Sequence, residues 1–317
     1  MESLSKPFND ICARIHGTAT RLTQRVYGHT VGDRNRLADG GAGGHYGAMT
    51  PDSMTARRDR FRSLHLSGTF VIPNPYDVGT ARLLAALDFP ALATTSAGFA
   101  ATLGRTDMQI TRVELVAHVA ALASATDLPL NVDAERCFAD DLAGVSETVQ
   151  LLADAGAAGV SIEDWNPGTD GIDPMTTAVD RVGAAAATAR RNGVVLTGRC
   201  ENLIHGVADL DNTIERLCAY RDAGAEVVYA PGLQDLVAIR RVVEAVGVPV
   251  NVRLLPGGPT VAQLAEAGVR RVSTGGLFSR IALGAVAAAA QSLLNDGQLV
   301  DGTQLLPRDL AVRAFAS

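Results

Sequence analysis

From Phe70 onward, short apolar runs alternate with longer stretches in which apolar residues recur at helical spacing. The short runs are rich in β-branched residues and stay apolar throughout, which is typical of parallel strands buried on both faces. Eight strands are predicted: Phe70–Pro73, Ala91–Thr95, Leu130–Asp133, Gly159–Ile162, Val194–Thr197, Glu226–Tyr229, Val248–Val252 and Arg271–Ser273. The other stretches predict helices: Asp77–Leu87, Arg112–Ala125, Leu142–Ala155, Thr176–Arg191, Asp209–Ala223, Leu233–Val246, Val261–Ala267 and Leu277–Asn295.

Eight strand–helix units in succession predict an α/β fold of the (β/α)8 TIM barrel class. Gly156, Gly224 and Gly268 follow predicted helices and suit the left-handed conformation that often ends a helix. A doubly wound open sheet is the alternative, but it usually has fewer strands, and no GxGxxG motif follows the first strand. We therefore predict a catalytic barrel over residues 58–300, a loosely ordered N-terminal extension over residues 1–57, and a C-terminal tail over residues 301–317.

The composition excludes several classes of protein. The 28 basic residues include a single lysine, Lys6, so chemistries that need a lysine in the folded domain are excluded, namely Schiff-base, pyridoxal and P-loop chemistry. The net charge of −6 argues against nucleic-acid binding. The four cysteines show neither a CxxC pair nor zinc-ligand spacing, which indicates a reduced, cytoplasmic protein. No unbroken run of apolar residues is long enough to predict a membrane span.

Acidic residues follow the third and fourth predicted strands, at the end of a barrel where active sites lie. Asp133 and Glu135 are two positions apart, so both can point to the same side of an extended strand, and Glu163 ends the neighbouring strand. Crowded carboxylates repel one another, and a divalent cation relieves this repulsion. Oxygen ligands favour Mg²⁺ or Mn²⁺. The three acids together predict a metal site, although each one singly also fits a surface carboxylate that caps a helix.

Small and basic residues at other strand ends are candidates for substrate binding. The backbone N–H groups of Ser96, Ala97 and Gly98 can hold a carboxylate or an enolate oxygen, although a plain tight turn fits this sequence equally well. Arg199, at the end of the fifth strand, can clamp a substrate carboxylate or pair with one of the acids. His205 lies in the loop after that strand, where a lone histidine is more often structural than catalytic.

Five segments, taken in order, resemble the isocitrate lyase and phosphoenolpyruvate mutase superfamily over most of the chain. They are Thr94–Gly98, Asn131–Glu135, Val160–Asp164, Gly198–Asn202 and Pro249–Val252. The resemblance implies a Mg²⁺-dependent barrel that handles 2-oxo or 2-hydroxy carboxylates through an enolate-type intermediate. It also implies that the eighth helix is exchanged between subunits, which gives dimers paired as tetramers.

The same resemblance implies roles for individual residues. Asp133 resembles the direct metal ligand, Glu135 and Glu163 resemble the acids that hold metal-bound waters, and Asp107 resembles a further acid near the metal. Arg199 resembles the cation that stabilises substrate oxygens. The remaining candidates are Ser96, Ala97, Gly98 and Asn251 for substrate binding, with Ser96, Tyr76 and His205 as further catalytic candidates.

Two departures separate this chain from the best-known members of the superfamily. The C–C lyases carry a Lys-Lys/Arg-Cys-Gly-His motif after the fourth strand, where the cysteine acts as an acid, and the phosphonate mutases carry a lysine-bearing lid. Residues 165–175 contain no Lys, Cys or His, so an isocitrate or methylisocitrate lyase is not expected. The Gly-Tyr-Gly that usually follows the third-strand acids is replaced by residues 136–138, in which Arg136 can bind substrate or cancel an acid.

The main hypothesis is therefore an enzyme that uses Mg²⁺ or Mn²⁺, a lyase or decarboxylase that cleaves a C–C bond in a small 2-oxo or 2-hydroxy carboxylate. The proton donor stays open between water, Tyr76 and His205. The alternatives are a C–P bond rearrangement of the phosphoenolpyruvate mutase type and a non-catalytic metabolite-binding barrel. We expect a small carboxylate as the binding partner, with neither nucleic acid nor membrane, and a cytoplasmic homo-oligomer, either a dimer or a tetramer.

Overall fold

The computed structural model describes residues 51–299 and 305–316. Within these ranges the chain forms ten strands, eight of which build one sheet. The strands are β1 (Phe70–Ile72), β2 (Leu92–Ala93), β3 (Leu130–Asp133), β4 (Gly159–Glu163), β5 (Trp165–Asn166), β6 (Gly171–Ile172), β7 (Val195–Arg199), β8 (Val227–Tyr229), β9 (Val250–Arg253) and β10 (Arg271–Ser273). Residues 1–50, which hold most of the predicted extension, lie outside the described residues, as do residues 300–304 and 317.

The eight-stranded sheet is parallel throughout, in the order β1-β10-β9-β8-β7-β4-β3-β2. Its two end strands are joined by hydrogen bonds near their carboxyl ends. The Ala93 N–H donates to Pro73 O at 3.0 Å, and the Asn74 side-chain amide donates to Thr94 O at 2.7 Å. The sheet is therefore a nearly closed barrel, which confirms the predicted (β/α)8 class and excludes the open-sheet alternative.

Helices follow the strands on the outside of this barrel. They are α1 (Pro51–Leu64), α2 (Val78–Ala85), α3 (Ser96–Thr102), α4 (Arg112–Ala125), α5 (Leu142–Asp154), α6 (Met175–Arg191), α7 (Leu210–Asp222), α8 (Leu236–Val246), α9 (Val261–Glu266), α10 (Leu277–Asp296) and α11 (Arg308–Phe315). Side-chain caps fix several helix starts. Asp77 and Thr111, for example, accept hydrogen bonds from backbone N–H groups three residues later and complete capping boxes.

Three of the described helices have no counterpart in the predicted pattern. Helix α3 is seven residues long and rich in small side chains, so it carries no clear periodicity. Helix α11 lies in the stretch predicted as a C-terminal tail and packs against α2. Helix α1 begins at Pro51, ahead of the barrel boundary predicted at residue 58.

Helix α1 closes the end of the barrel at which the strands begin. Phe61 is fully buried and clusters with apolar residues at the strand starts, among them Phe70 and Val227. The Phe61 ring meets the His65 and Phe70 rings edge-on, with ring centroids 4.8 and 6.4 Å apart. A side chain on Gly159 would overlap this plug, because a Cβ there would lie 2.5 Å from Phe61 Cε1.

Polar side chains fill the barrel interior above this plug. The buried Arg271 donates from Nε to Asn251 Oδ1 and from Nη2 to Thr197 Oγ1, each at 3.0 Å. Asn131 Nδ2 donates to Ser161 Oγ at 3.1 Å. Buried polar groups are tolerated when they bond to one another, and this layer forms the floor of the space that opens above it.

Helix α10 follows β10 and is the eighth helix of the barrel. In the part of the chain that the structure describes, it is the one helix long and apolar enough to cross a membrane, on grounds of length and composition alone. The sequence expectation of no such segment considered only unbroken apolar runs, whereas α10 owes its apolar character largely to alanine. Only 11% of its tested window is buried, and this leaves much apolar surface on the outside of the barrel.

Candidate active site

A cavity of about 300 Å³ lies at the carboxyl ends of the barrel strands. Such an end carries the active site of barrel enzymes. Eight of the predicted site residues line the cavity: Ser96, Ala97, Asp107, Asp133, Glu163, Arg199, His205 and Asn251. Tyr76, Gly98 and Glu135 are not among the lining residues.

Arg199, the last residue of β7, is the centre of the charged cluster. Its Nη1 lies 2.7 Å from Asp133 Oδ1, its Nη2 lies 3.0 Å from Glu163 Oε2, and its Nε lies 2.8 Å from Glu201 Oε1. Burial alone would lower the pKa of Arg199, but the surrounding carboxylates outweigh burial and hold this pKa well above its ordinary value. Arg199 therefore stays charged. Of its two predicted roles, clamping a substrate carboxylate and pairing with an acid, the structure shows the second.

Three acids near Arg199, namely Glu163, Glu201 and Asp107, are harder to ionise than free carboxylates. Burial raises the pKa of Glu163 and of Glu201, although the Arg199 charge opposes the shift. The pKa of Asp107 is also raised, first by burial and then by the neighbouring Asp133. The cluster thus holds more carboxylates than one guanidinium can neutralise.

Glu135 lies near this cluster, but its backbone conformation differs from the one that the sequence predicted. Strand β3 ends at Asp133, and Glu135 has a left-handed φ of 47°, so the expectation that the two acids share one side of an extended strand is wrong. Glu135 is buried, and its Oε1 has no hydrogen-bond partner. Burial, Asp133 and Asp107 raise the pKa of Glu135 to about 8.

Ser96 fixes two of the acids. Its backbone N–H and its hydroxyl each donate to Asp133 Oδ2 at 3.2 Å, and the hydroxyl also lies 3.1 Å from Asp107 Oδ1. The backbone N–H of Asp133 donates to Thr94 Oγ1 at 2.9 Å. Asp133 is therefore oriented from three directions, because Arg199 holds its other oxygen.

The donor set fits a divalent cation by its charge and chemistry. Among the described residues, no three carboxylate, imidazole or thiol groups converge closely enough to form a ready-made metal site. A site with one direct protein ligand and several waters does not require such convergence. The excess of carboxylates over guanidinium charge and the unpaired, buried Glu135 Oε1 are what a hydrated Mg²⁺ or Mn²⁺ would satisfy.

The segment predicted as a small-residue loop is the first turn of helix α3. Thr95 caps this helix by accepting from the Gly98 N–H at 3.2 Å, so that N–H is already engaged by a side chain. A Cβ on Gly98 would lie 2.5 Å from Thr95 Cγ2 and 3.0 Å from Tyr76 Cβ, which explains the glycine by close packing. The segment is therefore the start of a helix, neither a loop nor a plain turn. Ser96 and Ala97 line the cavity, and substrate binding by this segment stays a prediction.

Arg136, which was predicted either to bind substrate or to cancel an acid, pairs with an acid outside the Arg199 cluster. Its Nε and Nη2 donate to Asp173 at 2.8 and 3.2 Å, and Asn166 Nδ2 donates to the same carboxylate at 3.0 Å. Asp173 is buried and follows the β5–β6 hairpin. Arg136 thereby fastens the hairpin that stands where the C–C lyases carry their Cys-bearing lid.

His205 lies at the rim of the cavity beside this hairpin. Its ring stacks on Trp165, with centroids 3.5 Å apart and planes 11° from parallel. His205 is nevertheless exposed to solvent. Of the two histidine and tyrosine candidates for proton transfer, His205 lines the cavity and Tyr76 does not.

Sequence reasoning missed several residues of the cavity wall, namely Glu201, Trp165, Tyr229, Arg253 and Arg271. The signal for Glu201 was its place two residues after Arg199 at a strand end. The signal for the two arginines was a charged residue at the end or the start of an apolar strand, where a side chain in a barrel points either to the helices or to the interior.

The family model described as phosphoenolpyruvate phosphomutase matches residues 61–294, nearly the whole barrel. The chain belongs to the phosphoenolpyruvate mutase and isocitrate lyase superfamily. This membership confirms the resemblance found in the strand-end segments.

Solved and curated members of the superfamily are similar over most of the chain. A crystal structure from Burkholderia cenocepacia J2315, provisionally described as a lyase/mutase, is 46% identical, with a TM-score of 0.80, and the match covers 84% of this chain and 98% of that one. A "Probable 2-methylisocitrate lyase 2" of Corynebacterium glutamicum is 32% identical over 73% of this chain and 78% of its own. An oxaloacetate decarboxylase of Paraburkholderia xenovorans is 30% identical over 77% of this chain and 84% of its own.

Proposed function

We propose that the protein is a Mg²⁺-dependent lyase or decarboxylase that cleaves a carbon–carbon bond in a small 2-oxo or 2-hydroxy carboxylate through an enolate. The observation that carries the proposal is the partly buried Arg199 guanidinium, held at the cavity by three carboxylates. A preorganised cation stabilises an oxyanion without first having to reorganise, and this is commonly the largest catalytic effect.

The acids would hold the cation, with Asp133 as the direct ligand and Glu135, Glu163 and Asp107 around it. When bound, Mg²⁺ supplies Lewis-acid stabilisation of the negative charge on substrate oxygens. Ser96 holds Asp133 in a fixed orientation through two hydrogen bonds at 3.2 Å, so the ligand oxygen is preset.

For a substrate such as oxaloacetate, the bond between C3 and C4 would break and C4 would leave as CO₂. The bonding electron pair would move onto the C2 oxygen and form an enolate, which Arg199 stabilises. A proton then adds to C3. His205 at the rim, or water, is better placed to deliver it than Tyr76, which does not line the cavity.

Decarboxylation suits this chain better than cleavage of a 2-hydroxy acid. The relatives named above include both an oxaloacetate decarboxylase and a probable 2-methylisocitrate lyase. Cleavage of a 2-hydroxy acid also requires a base that removes the hydroxyl proton, and the β5–β6 hairpin, which has neither the histidine nor the acidic cysteine of the lyase lid, offers no histidine for this role. Loss of CO₂ from a 2-oxo acid requires no such base.

A substrate panel tests this proposal. Purified protein with Mg²⁺ is incubated with oxaloacetate, 2-alkylmalates and phosphonopyruvate, and products are followed by proton and phosphorus NMR. We expect CO₂ loss from oxaloacetate above the spontaneous rate, abolished by EDTA and reduced at least about 100-fold in Asp133→Asn. Retained activity in Asp133→Asn, or no turnover of any compound, would contradict the proposal.

The same panel separates the alternatives. Conversion of phosphonopyruvate to a phosphate ester, seen by phosphorus NMR, would favour mutase chemistry, which the absence of lysine after Lys6 disfavours. Ligand-dependent shifts in melting temperature without turnover would favour a non-catalytic binding barrel. We propose further that the enzyme works in the cytoplasm as a homo-oligomer, in keeping with its free cysteines Cys137, Cys200 and Cys218 and the exposed apolar helix α10.

A further inference from the structure

Two arginines in the cavity wall lack an acidic partner among the described residues. Arg253 ends β9 and Arg271 begins β10, and both line the cavity. Arg253 Nε and Arg271 Nη1 are buried and have no hydrogen-bond partner. Arg199, by contrast, pairs with three carboxylates. Because a buried cation without a counter-charge costs free energy, this side of the cavity is suited to bind an anion.

The two arginines lie at different depths in the cavity. Arg271 is 2% exposed and is bonded to Asn251 and Thr197 within the polar layer. Strand register pairs Arg271 with Asn251, and Ser273 with Arg253. Two residues along a strand advance by about 6.6 Å, so Arg253 stands one layer closer to the mouth. Arg253 is therefore the residue that a bound molecule meets first.

The chain makes room for the Arg253 side chain. A Cβ on Gly275 would lie 2.8 Å from Arg253 Cδ, so a side chain at position 275 would displace the arginine. Gly275 is held in place by its N–H, which donates to Asn74 Oδ1 at 2.8 Å. The Gln234 side-chain amide donates to Arg253 O at 3.1 Å and fixes the arginine backbone.

The spacing of Arg253 from Arg199 suits a short dianion. The arginines end β9 and β7, with β8 between them, so their backbones stand roughly 10 Å apart. Tyr229 of β8 separates them, and the centre of its ring is 5.4 Å from Arg199 Cζ. Two long side chains that reach into one cavity from this separation leave a gap for a molecule with an anionic group at each end.

We propose that Arg253 forms a second anion subsite, which binds the far carboxylate of a dicarboxylate substrate while the 2-oxo or 2-hydroxy end lies at Arg199. In oxaloacetate this far carboxylate is the C4 group, so its ion pair with Arg253 is lost as C4 departs as CO₂. The identity of the near end rests on the proposed function, and the far subsite rests on the geometry of Arg253. Arg253 thereby selects dicarboxylates over monocarboxylates with the same carbon skeleton.

Malate and 2-hydroxybutyrate test this selection, because they share a four-carbon 2-hydroxy acid skeleton and differ only in a terminal carboxylate or methyl group. Calorimetric titration in Mg²⁺ measures both affinities for the full chain. We expect malate to bind about 10- to 100-fold more tightly to the wild type, the range of a charge-assisted hydrogen bond. Arg253→Met removes this preference and leaves 2-hydroxybutyrate affinity within about twofold, and Arg253→Lys retains part of it.

Two glycine variants provide a charge-neutral check. Gly275→Ala is expected to reduce the malate preference by displacing Arg253. Gly275 has a left-handed φ of 54°, so Gly275→Ala also strains the backbone. Gly276→Ala is the control for an added methyl group, because its Cβ would meet nothing nearer than Thr95 Oγ1 at 3.7 Å, and its preference ratio should equal that of the wild type. Equal weakening of both ligands in Arg253→Met, no preference in the wild type, or no malate binding at all would overturn the subsite.

Binding is measured here without turnover, so the two proposals fail separately. A protein that prefers malate through Arg253 but cleaves none of the substrate panel would retain the subsite and lose the proposed reaction. A protein that decarboxylates oxaloacetate but binds malate and 2-hydroxybutyrate equally would retain the reaction and lose the subsite.

Discussion

Arg199 contacts Asp133, Glu163 and Glu201 through three different nitrogens, at 2.7, 3.0 and 2.8 Å. Lysine would keep the charge but offers one nitrogen in place of a planar fork. We expect Arg199→Lys to lower kcat/KM on the best panel substrate by about 100-fold. Arg241→Lys is a control, because that arginine pairs with Asp211 on the exposed surface. Wild-type kinetics in Arg199→Lys would show that charge alone suffices.

His118 gives the protein a stability that depends on pH. It is buried and stacked on Phe99 at 3.9 Å, and burial lowers the pKa of His118 to about 4. The unfolded chain binds this proton near its ordinary pKa of about 6.5, so stability is lost as the pH falls from about 6.5 to 4, at about 1.4 kcal/mol per pH unit. Urea unfolding of the wild type and of His118→Leu at pH 7 and pH 5 checks this. Equal losses in the two proteins would contradict the prediction.

Strand-end position was enough to predict Asp133, Glu163 and Arg199, because the barrel brings all such ends together. The same reasoning misplaced Glu135, because a positive φ at a non-glycine residue leaves no signal in the sequence. Arg253 and Arg271 were missed because an apolar strand with one charge does not reveal which face that charge occupies. Tertiary contacts determine the conformation of Glu135 and the direction of the two arginine side chains, and the spacing of residues along the sequence does not.

The strands and most helices of the barrel follow directly from apolar periodicity, and the predicted ends of the eight expected helices lie within three residues of those observed. Helix α1 escaped prediction because it is strongly polar, with a buried face that depends on Phe61. Helix α3 escaped because small residues fit a loop or a helix equally well. Both depend on tertiary contacts, namely the barrel floor for α1 and the cavity wall for α3.

Two glycine substitutions are expected to change stability in opposite directions, one at the contact between α1 and β4 and one within α6. In Gly159→Ala the new Cβ would lie 2.5 Å from Phe61 Cε1 and 2.6 Å from Asn131 Oδ1, so we expect a loss of about 1–3 kcal/mol in unfolding free energy. In Gly183→Ala, within α6, the Cβ meets nothing within 4 Å, and we expect a gain of about 0.5–1 kcal/mol. Urea titration measures both. A Gly159→Ala protein as stable as the wild type would show that α1 does not pack tightly on this strand.

The exposed apolar surface of α10 bears on how whole molecules associate. Leu283 and Val286 are 54% and 66% exposed and lie on one face of that helix. We propose that this water-exposed apolar surface contacts a second copy of the chain, so we expect Leu283→Asp with Val286→Asp to shift the sedimentation coefficient to a smaller species. Val237→Asp on α8 is the matched control, since Val237 is 65% exposed. An unchanged sedimentation coefficient of the α10 double variant would show that α10 is not part of a subunit interface.

The β5–β6 hairpin is pinned through Asp173 by Arg136 and Asn166, while His205 at the rim is exposed. In the proposed reaction, we expect a fixed hairpin to leave the reacting carbon in contact with bulk water. With a substrate that carries an alkyl group on that carbon, turnover in D₂O would then place deuterium on either face. Protonation by water would then give a racemate at the labelled carbon. Protonation by a side chain would give one enantiomer in excess, and chiral analysis of the 2-oxo acid product distinguishes the two.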